Sequence, residues 1–256
     1  MLAGPGTAAE PHRHGEARAD VGTLSAMANT EPGVLSGLSN ITDPYGALEA
    51  LVYDFFVAPG VLDIAVDQIE AELGSIPDGA RVLDVGCGGG QMARALAQRR
   101  PDLDLTGVDL SAEQIRRAER RTKDVADRTR FVQGSALDLP FRDEDFDVVY
   151  SIASIKHWPD PAGGLAECVR VLRPGGQLLV AEADRGCRYE DAAAFVARMR
   201  LPALLRVPAL AAFRTFVAGQ SLDLDDLRAL AEKLALEEFS VERQAGLPSI
   251  ALRGIR

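Results

Sequence analysis

The stretch that decides the fold is Val82-Leu83-Asp84-Val85-Gly86-Cys87-Gly88-Gly89-Gly90. A short β-branched run, Arg81 to Val85, breaks into glycines, and a helical pattern follows over Gln91 to Arg100 until Pro101 stops it. Strand, glycine turn and helix open a βαβ unit, in which ligands bind beyond the carboxyl ends of the strands. Glycines at such a turn permit positive φ and a close approach of ligand to backbone.

Outward from this turn the pattern repeats. Leu103 to Val108 is a second strand, ended by Asp109 in Gly107-Val108-Asp109-Leu110-Ser111. Ser111 caps a helix over 112–127, with Gln114 three places on as its partner. Arg130 to Gln133, Phe146 to Ile152 and Gln177 to Ala183 read as strands three to five. A helix over 161–172 and a turn at Pro174-Gly175-Gly176 lie between the last two. Strands alternating with helices imply right-handed crossovers and a parallel sheet covered on both faces.

The two ends of the chain break this rhythm. Residues 189–219 hold two apolar helical stretches, broken by Pro202 and Pro208, and read as a helical cap. Residues 223–236 form an amphipathic helix. Residues 237–244 and 249–253 then alternate around Gly246-Leu247-Pro248, and so short a connection makes an antiparallel hairpin. Upstream, 45–57 and 61–74 read as two helices, residues 1–40 read as a disordered tail, and Met27 offers an alternative start. The expected domain is therefore 41–256, a doubly wound α/β fold with a C-terminal hairpin and a cap over 189–219.

Composition narrows the partners. The 256 residues are 47% hydrophobic and carry a formal net charge of −10. A nucleic-acid binder neutralises phosphates and is usually basic. The acidic balance therefore argues against nucleic acid, and against an anionic membrane as the main partner, while leaving room for a local basic patch. No apolar run approaches the length of a membrane span. Cys87, Cys168 and Cys187 are odd in number and far apart, without zinc spacing, and read as reduced thiols of a cytoplasmic protein.

The chemistry rests on two carboxylates. Asp109, at the end of a strand, can accept both hydroxyls of a ribose. Taken with the glycines it would suit a nicotinamide enzyme, whose acidic residue follows G-x-G-x-x-G by about 20 residues. Two details point elsewhere. Gln91 stands where the third glycine belongs, and the Asp84 carboxylate would repel a diphosphate while suiting a ligand with an ammonium group.

At this point the chain resembles the class I, Rossmann-like S-adenosylmethionine-dependent methyltransferases, in particular the small-molecule group called type 11. The likeness is carried by VLDVGCGGG (82–90), GVDLS (107–111), GSALDLPF (134–141), FDVVYSIASIKHWPDP (146–161) and VLRPGGQLLVAE (171–182). It implies a seven-stranded, mostly parallel sheet in the order 3-2-1-4-5-7-6, with S-adenosylmethionine as cofactor. Asp84 and the backbone of Gly86, Cys87, Gly88 and Gly90 would hold the methionine end. Asp109 would bind the ribose and Leu110 pack on adenine, with Ser135 and Ala136 at the adenine edge. Ser135 departs from the pattern, because many relatives carry Asp there. Ser151 and Ile152 would lie towards the methyl group.

The expected activity is O- or C-methylation of a small, fairly apolar acceptor such as a secondary metabolite, lipid-like quinone or polyketide. An NAD(P)-dependent oxidoreductase and a non-catalytic S-adenosylmethionine-binding protein are the alternatives. A protein or RNA methyltransferase fits less well, since Ser151 to Ser154 lacks the Asn/Asp-Pro-Pro-aromatic signature. His157 is the candidate base, because it follows strand four and histidine titrates near neutrality. Lys156 reads as solvated, Glu182 and Asp184 are weaker candidates for base or metal ligand, and no metal is expected. Tyr45, Tyr53, Phe55 and Phe56, with Phe195, Met199, Phe213 and Phe216 of the cap, are candidates to shape the acceptor pocket, and Trp158 to wall it. The apolar surface of the cap reads alternatively as a homodimer face.

Overall fold

The computed structural model describes residues 76–199 and 201–256 and, upstream, Val66, Asp67, Ile69 and Ala71. The tail, the helix expected over 45–57 with its four aromatic residues, and most of the next helix lie outside the described residues.

Seven strands form one sheet in the order β3-β2-β1-β4-β5-β7-β6. They are β1 (Arg81–Val85), β2 (Asp104–Asp109), β3 (Thr129–Gln133), β4 (Phe146–Ile152), β5 (Leu172–Ala183), β6 (Glu238–Arg243) and β7 (Ser249–Ile255). The first five are parallel, whereas β7 runs antiparallel to both β5 and β6. Six α-helices lie between them: α1 (Gln91–Arg99), α2 (Ala112–Arg121), α3 (Pro161–Val171), α4 (Tyr189–Arg198), α5 (Ala203–Ala212) and α6 (Leu224–Ala231).

The period of two along each strand sorts the core into two layers. Val82, Leu105, Val148, Tyr150, Leu179 and Ala251 point to one face and pack with Leu96 and Ala97 of α1. Their neighbours Leu83, Val149, Leu178, Val180 and Leu252 point to the other, against Leu165 and Cys168 of α3 and Leu227 and Ala231 of α6. A sheet apolar on both faces needs helices on both, which is why the strands read as near-continuous apolar runs. Truncating Leu83, which is fully buried, would cost about 2–5 kcal/mol.

Several boundaries differ from expectation for local reasons. The helix expected over 112–127 ends at Arg121, where the Thr122 hydroxyl donates back to the Ala118 carbonyl at 2.9 Å and a 3₁₀ segment, Lys123–Arg128, takes over. The Pro174-Gly175-Gly176 turn is an excursion inside β5. Pairing jumps from Phe146–Leu172 to Val148–Gln177 across it, and Gly175 takes φ +73°. Pro208 does not break the cap but lies within α5. The start of α5 is exposed, so water can take the place of the bond a proline cannot make. A π-helical turn, Phe213–Ala218, continues α5. α6 begins at a capping box between Asp223 and Asp226 and stops at Ala231, short of the expected 236.

Candidate functional site

The site is built at the carboxyl ends of β1, β2 and β4. As β1 ends, the backbone amides of Gly86 and Cys87 both donate to the Val108 carbonyl of β2, at 2.8 and 3.0 Å. Gly86 and Gly88 take φ of +78° and +51°, conformations that side chains resist. A Cβ on Gly86 would run into the Ser154 hydroxyl, whereas one on Gly88 would meet nothing. The first glycine thus lets the β4 loop pack down on the turn, and the second leaves open space over its backbone. Gly90 then caps α1, close to Ala118 of α2.

Asp109 fastens this turn. Its Oδ2 accepts the Gly88 amide at 2.9 Å and its Oδ1 accepts the Ser111 amide at 2.9 Å. Burial pushes its carboxyl up, and these two amides pull against that. Each oxygen keeps a second lone pair, so a pair of vicinal hydroxyls can still donate to it. Leu110 beside it is 72% exposed, an apolar side chain left bare next to a carboxylate. Ser135, across the edge, uses its hydroxyl to accept the Leu137 amide at 3.1 Å and close a local turn. Ala136 is half-buried against the core.

Asp84 is the electrostatic centre. It is 3% exposed, and its Oδ2 has no hydrogen-bond partner. Burial pushes its carboxyl up to about 7, with a smaller downward pull from Tyr150, its register neighbour on β4. That contact is loose, since the buried Tyr150 hydroxyl also completes no hydrogen bond. An orphaned buried carboxylate oxygen invites a cationic donor. Ser151, at the end of β4, likewise has a buried hydroxyl without a partner, and Ile152 next to it is half-buried. Cys87 is buried, and that burial pushes its thiol well up.

The loop after β4 holds what sequence reading missed. Ala153 takes φ +54°, uncommon for a residue with a side chain, and donates its amide to Ala181 of β5 at 2.8 Å. Ser154 follows, and its hydroxyl accepts the Trp158 indole N–H at 3.0 Å. Trp158 is therefore core, packed over Gly164 of α3, rather than a pocket wall. His157 ends a single 3₁₀ turn, Ile155–His157, half-buried, with its backbone amide on Ser154.

Lys156 corrects the expectation of a solvated side chain. Its Nζ lies 3.7 Å from Glu182 Oε1, and the two side chains are 8% and 0% exposed. Burial raises the Glu182 carboxyl, and Lys156 and the Ala183 and Lys156 amides oppose that. Asp184 is spoken for by the Arg243 guanidinium at 2.7 Å and the Gly186 amide at 2.7 Å. Among the described residues no cluster of His, Cys, Asp or Glu could hold a metal ion, and none of their helices is long and apolar enough to cross a membrane. All three cysteines are free. In the cap, the Phe195 and Phe213 rings lie 5.1 Å apart, tilted by 42°, within a small separate core, with Met199 against it, while Phe216 is half-exposed.

Residues 83–180 match the family model described as a methyltransferase domain. They are a methyltransferase domain of the class I, Rossmann-like kind. The strand order, with its single late strand inserted antiparallel, agrees with this. The chain is 38% identical over 135 residues to the O-methyltransferase rstn1 of Aspergillus nomiae, covering 49% of this chain and 59% of that protein. It is 41% identical over 111 residues to the 2-methyl-6-phytyl-1,4-hydroquinone methyltransferase of Synechocystis, covering 43% of this chain and 34% of that protein. The matches thus span under two thirds of these relatives' length. A crystal structure of a SAM-dependent methyltransferase from Aquifex aeolicus superposes with a TM-score of 0.62 at 15% identity, over 83% of this chain and 99% of the other, a likeness of fold. The cofactor of this class is S-adenosylmethionine, and the methyltransferase domain fits it. Asp84 offers an unpaired carboxylate for an ammonium, and Asp109 offers free lone pairs for a ribose.

Proposed function

We propose that this chain transfers the methyl group of S-adenosylmethionine to an oxygen or carbon atom of a small, fairly apolar acceptor. The observation that carries the reading is Asp84, a buried carboxylate with an orphaned oxygen, set two residues ahead of an open glycine turn. When bound, S-adenosylmethionine supplies a methyl group already activated on a sulfonium.

The chain's own task is then positioning and exclusion of water. In this reading Asp84 pairs with the ammonium, and the backbone of Gly86, Cys87, Gly88 and Gly90 carries the amino-acid end. Asp109 accepts the ribose hydroxyls, Leu110 covers adenine, and Ser135 and Ala136 border it. Ser151 and Ile152 face the methyl end, and His157 takes the proton of an acidic acceptor. Relatives named for O-methylation and for a phytyl hydroquinone support an acceptor of this class. The acidic composition supports a small molecule over a nucleic acid, and the free thiols support a cytoplasmic setting. A nicotinamide cofactor is disfavoured by Gln91 at the start of α1 and by the Asp84 charge, which opposes a diphosphate.

Calorimetric titration with S-adenosylmethionine, S-adenosylhomocysteine and NADH tests the reading, with wild type beside Asp109→Ala. Binding of both sulfur ligands, weakened at least tenfold in the variant, is expected from losing charge-assisted bonds of about 1.5–3 kcal/mol each. Binding of NADH alone would overturn it.

A further inference from the structure

The charge of Lys156 is only half answered. Its side chain is 8% exposed, and Nζ lies 3.7 Å from Glu182 Oε1, outside hydrogen-bond range. An ammonium has three hydrogens to donate, and none of them completes a hydrogen bond among the described residues. Glu182 is shared: its Oε1 accepts the Ala183 amide at 2.8 Å and its Oε2 the Lys156 amide at 3.4 Å. Beside this pair, the buried Ser221 hydroxyl stands against the Glu182 carboxyl yet completes no hydrogen bond. Ser151 pairs with Val180 in the β4–β5 register, so it shares a sheet face with Glu182, two residues further on. Its hydroxyl is buried and unpartnered as well.

The topology sets this group beside the glycine turn. Ser154, two residues before Lys156, is the residue that a Cβ on Gly86 would strike, and two residues of chain span at most about 7 Å. β4 lies next to β1, and β5 next to β4, so the pair stands on the side of the site away from Asp109. Arg243 and Arg185 of the same rim are committed, to Asp184 at 2.7 Å and to Asp226 at 2.8 Å. Lys156 keeps donors to give. An ammonium largely out of water and without hydrogen bonds is answered best by an anionic oxygen, through the short, charge-assisted contact that Glu182 does not make.

We propose that Lys156 receives an ionised oxygen of the acceptor, which is therefore an acid, a carboxylate or an acidic phenol, on an apolar body. Lys156 is then a binding residue that selects the acceptor by charge, and the Ser151 and Ser221 hydroxyls complete the hydrogen bonds of the bound oxygen. The inference rests on the methyl-transfer reading. In that step the ionised oxygen bonds to the methyl carbon as the carbon–sulfur bond breaks, and the sulfur keeps the bonding pair as a neutral thioether. The acceptor's proton has gone to His157 or to water beforehand, so none leaves during the transfer.

Calorimetry on the full chain loaded with S-adenosylhomocysteine tests it, with octanoate against 1-octanol and 4-nitrophenolate against 4-nitroanisole as pairs alike in shape and different in charge. Binding of one anion at least about tenfold tighter than its neutral match is expected, and the pair that shows it tells carboxylate from phenolate. Lys156→Met alone strands Glu182, so both charges are removed together. Lys156→Met/Glu182→Gln should fold, because no charge is left alone in the core, and should lose the preference. Glu182→Gln breaks the ion pair but keeps the ammonium, and should retain it. Equal affinity within both pairs, no binding of any of the four, or a preference that survives in the double variant overturns the proposal and leaves methyl transfer standing. Loss of the preference in both variants assigns it to the packing of the pair and overturns the proposal too. Failure of the wild type to bind S-adenosylhomocysteine overturns the methyl-transfer reading, and this inference with it.

Discussion

The two halves of the sheet's carboxyl edge are built by different means. At β1 and β2 the site is almost all backbone: amides of Gly86, Cys87 and Gly88, held by the Val108 carbonyl and the Asp109 carboxylate. At β4 and β5 it depends on side chains from distant positions, chiefly Lys156 on Glu182 and Ser154 under Trp158. A backbone cradle is set by residues a few places apart and serves one ligand. A side-chain lattice can be rebuilt without disturbing the sheet, which suits the end that, in the proposed function, faces the acceptor.

That contrast breaks most readily at the buried ion pair. Lys156→Met leaves Glu182 alone in the core and should cost roughly 3–5 kcal/mol of stability at pH 8, while cofactor affinity changes little. Below the ordinary carboxylate range Glu182 carries a proton folded or unfolded, so the loss should fade in acid melts. A melting temperature unmoved at pH 8 would deny the pair its role.

Asp84→Asn should do the reverse. Loss of a buried charge partner should weaken S-adenosylhomocysteine binding about 100-fold, without loss of stability. Its folded carboxyl sits at about 7, above the ordinary value of 3.8, so in wild type stability falls as pH rises between them. The ligand's ammonium needs the ionised form. Wild-type affinity should therefore drop up to tenfold per pH unit below about 7 and level off above it, and the variant should show no such slope. A wild-type profile flat from pH 5 to 8 would contradict the assignment.

Two smaller effects sharpen the line between the halves. Gly86→Ala combines a positive φ with a collision against Ser154 and should cost about 1–3 kcal/mol. Adding Ser154→Gly should recover the collision but not the backbone cost, so a double-mutant cycle measures how firmly the β4 loop rests on the turn. Leu110→Ala, at an exposed position, should move stability by less than about 0.5 kcal/mol and weaken cofactor binding only a few-fold. Equal losses in both would mean that Leu110 is structural.

Legibility in the sequence follows the same division. The hairpin was readable from local spacing, and the strand order followed from the family resemblance carried by motifs of a few residues. Ser154 and the Lys156–Glu182 pair were not, because their partners lie on other strands and nothing beside Lys156 marks it as buried. Gly86 carried a faint signal of Ser154, since an obligatory glycine can mean a neighbour as well as a ligand. Pro208 misled because a proline's penalty depends on whether water reaches the orphaned carbonyl. The aromatic residues of 45–57 lie outside the described residues.

The place of β7 has a consequence for how the protein is made. Ser249–Ile255, the last of the seven described strands in sequence order, lies between β5 and β6. Until it has been synthesised, β5 presents an unpaired apolar edge and β6 has no neighbour at all. At 5–20 residues per second, the nascent chain carries that open edge for several seconds. The sheet closes from the inside, last strand first into the gap, so a ribosome stalled within Ser249–Ile255 holds an incomplete sheet, ready to pair with the wrong chain.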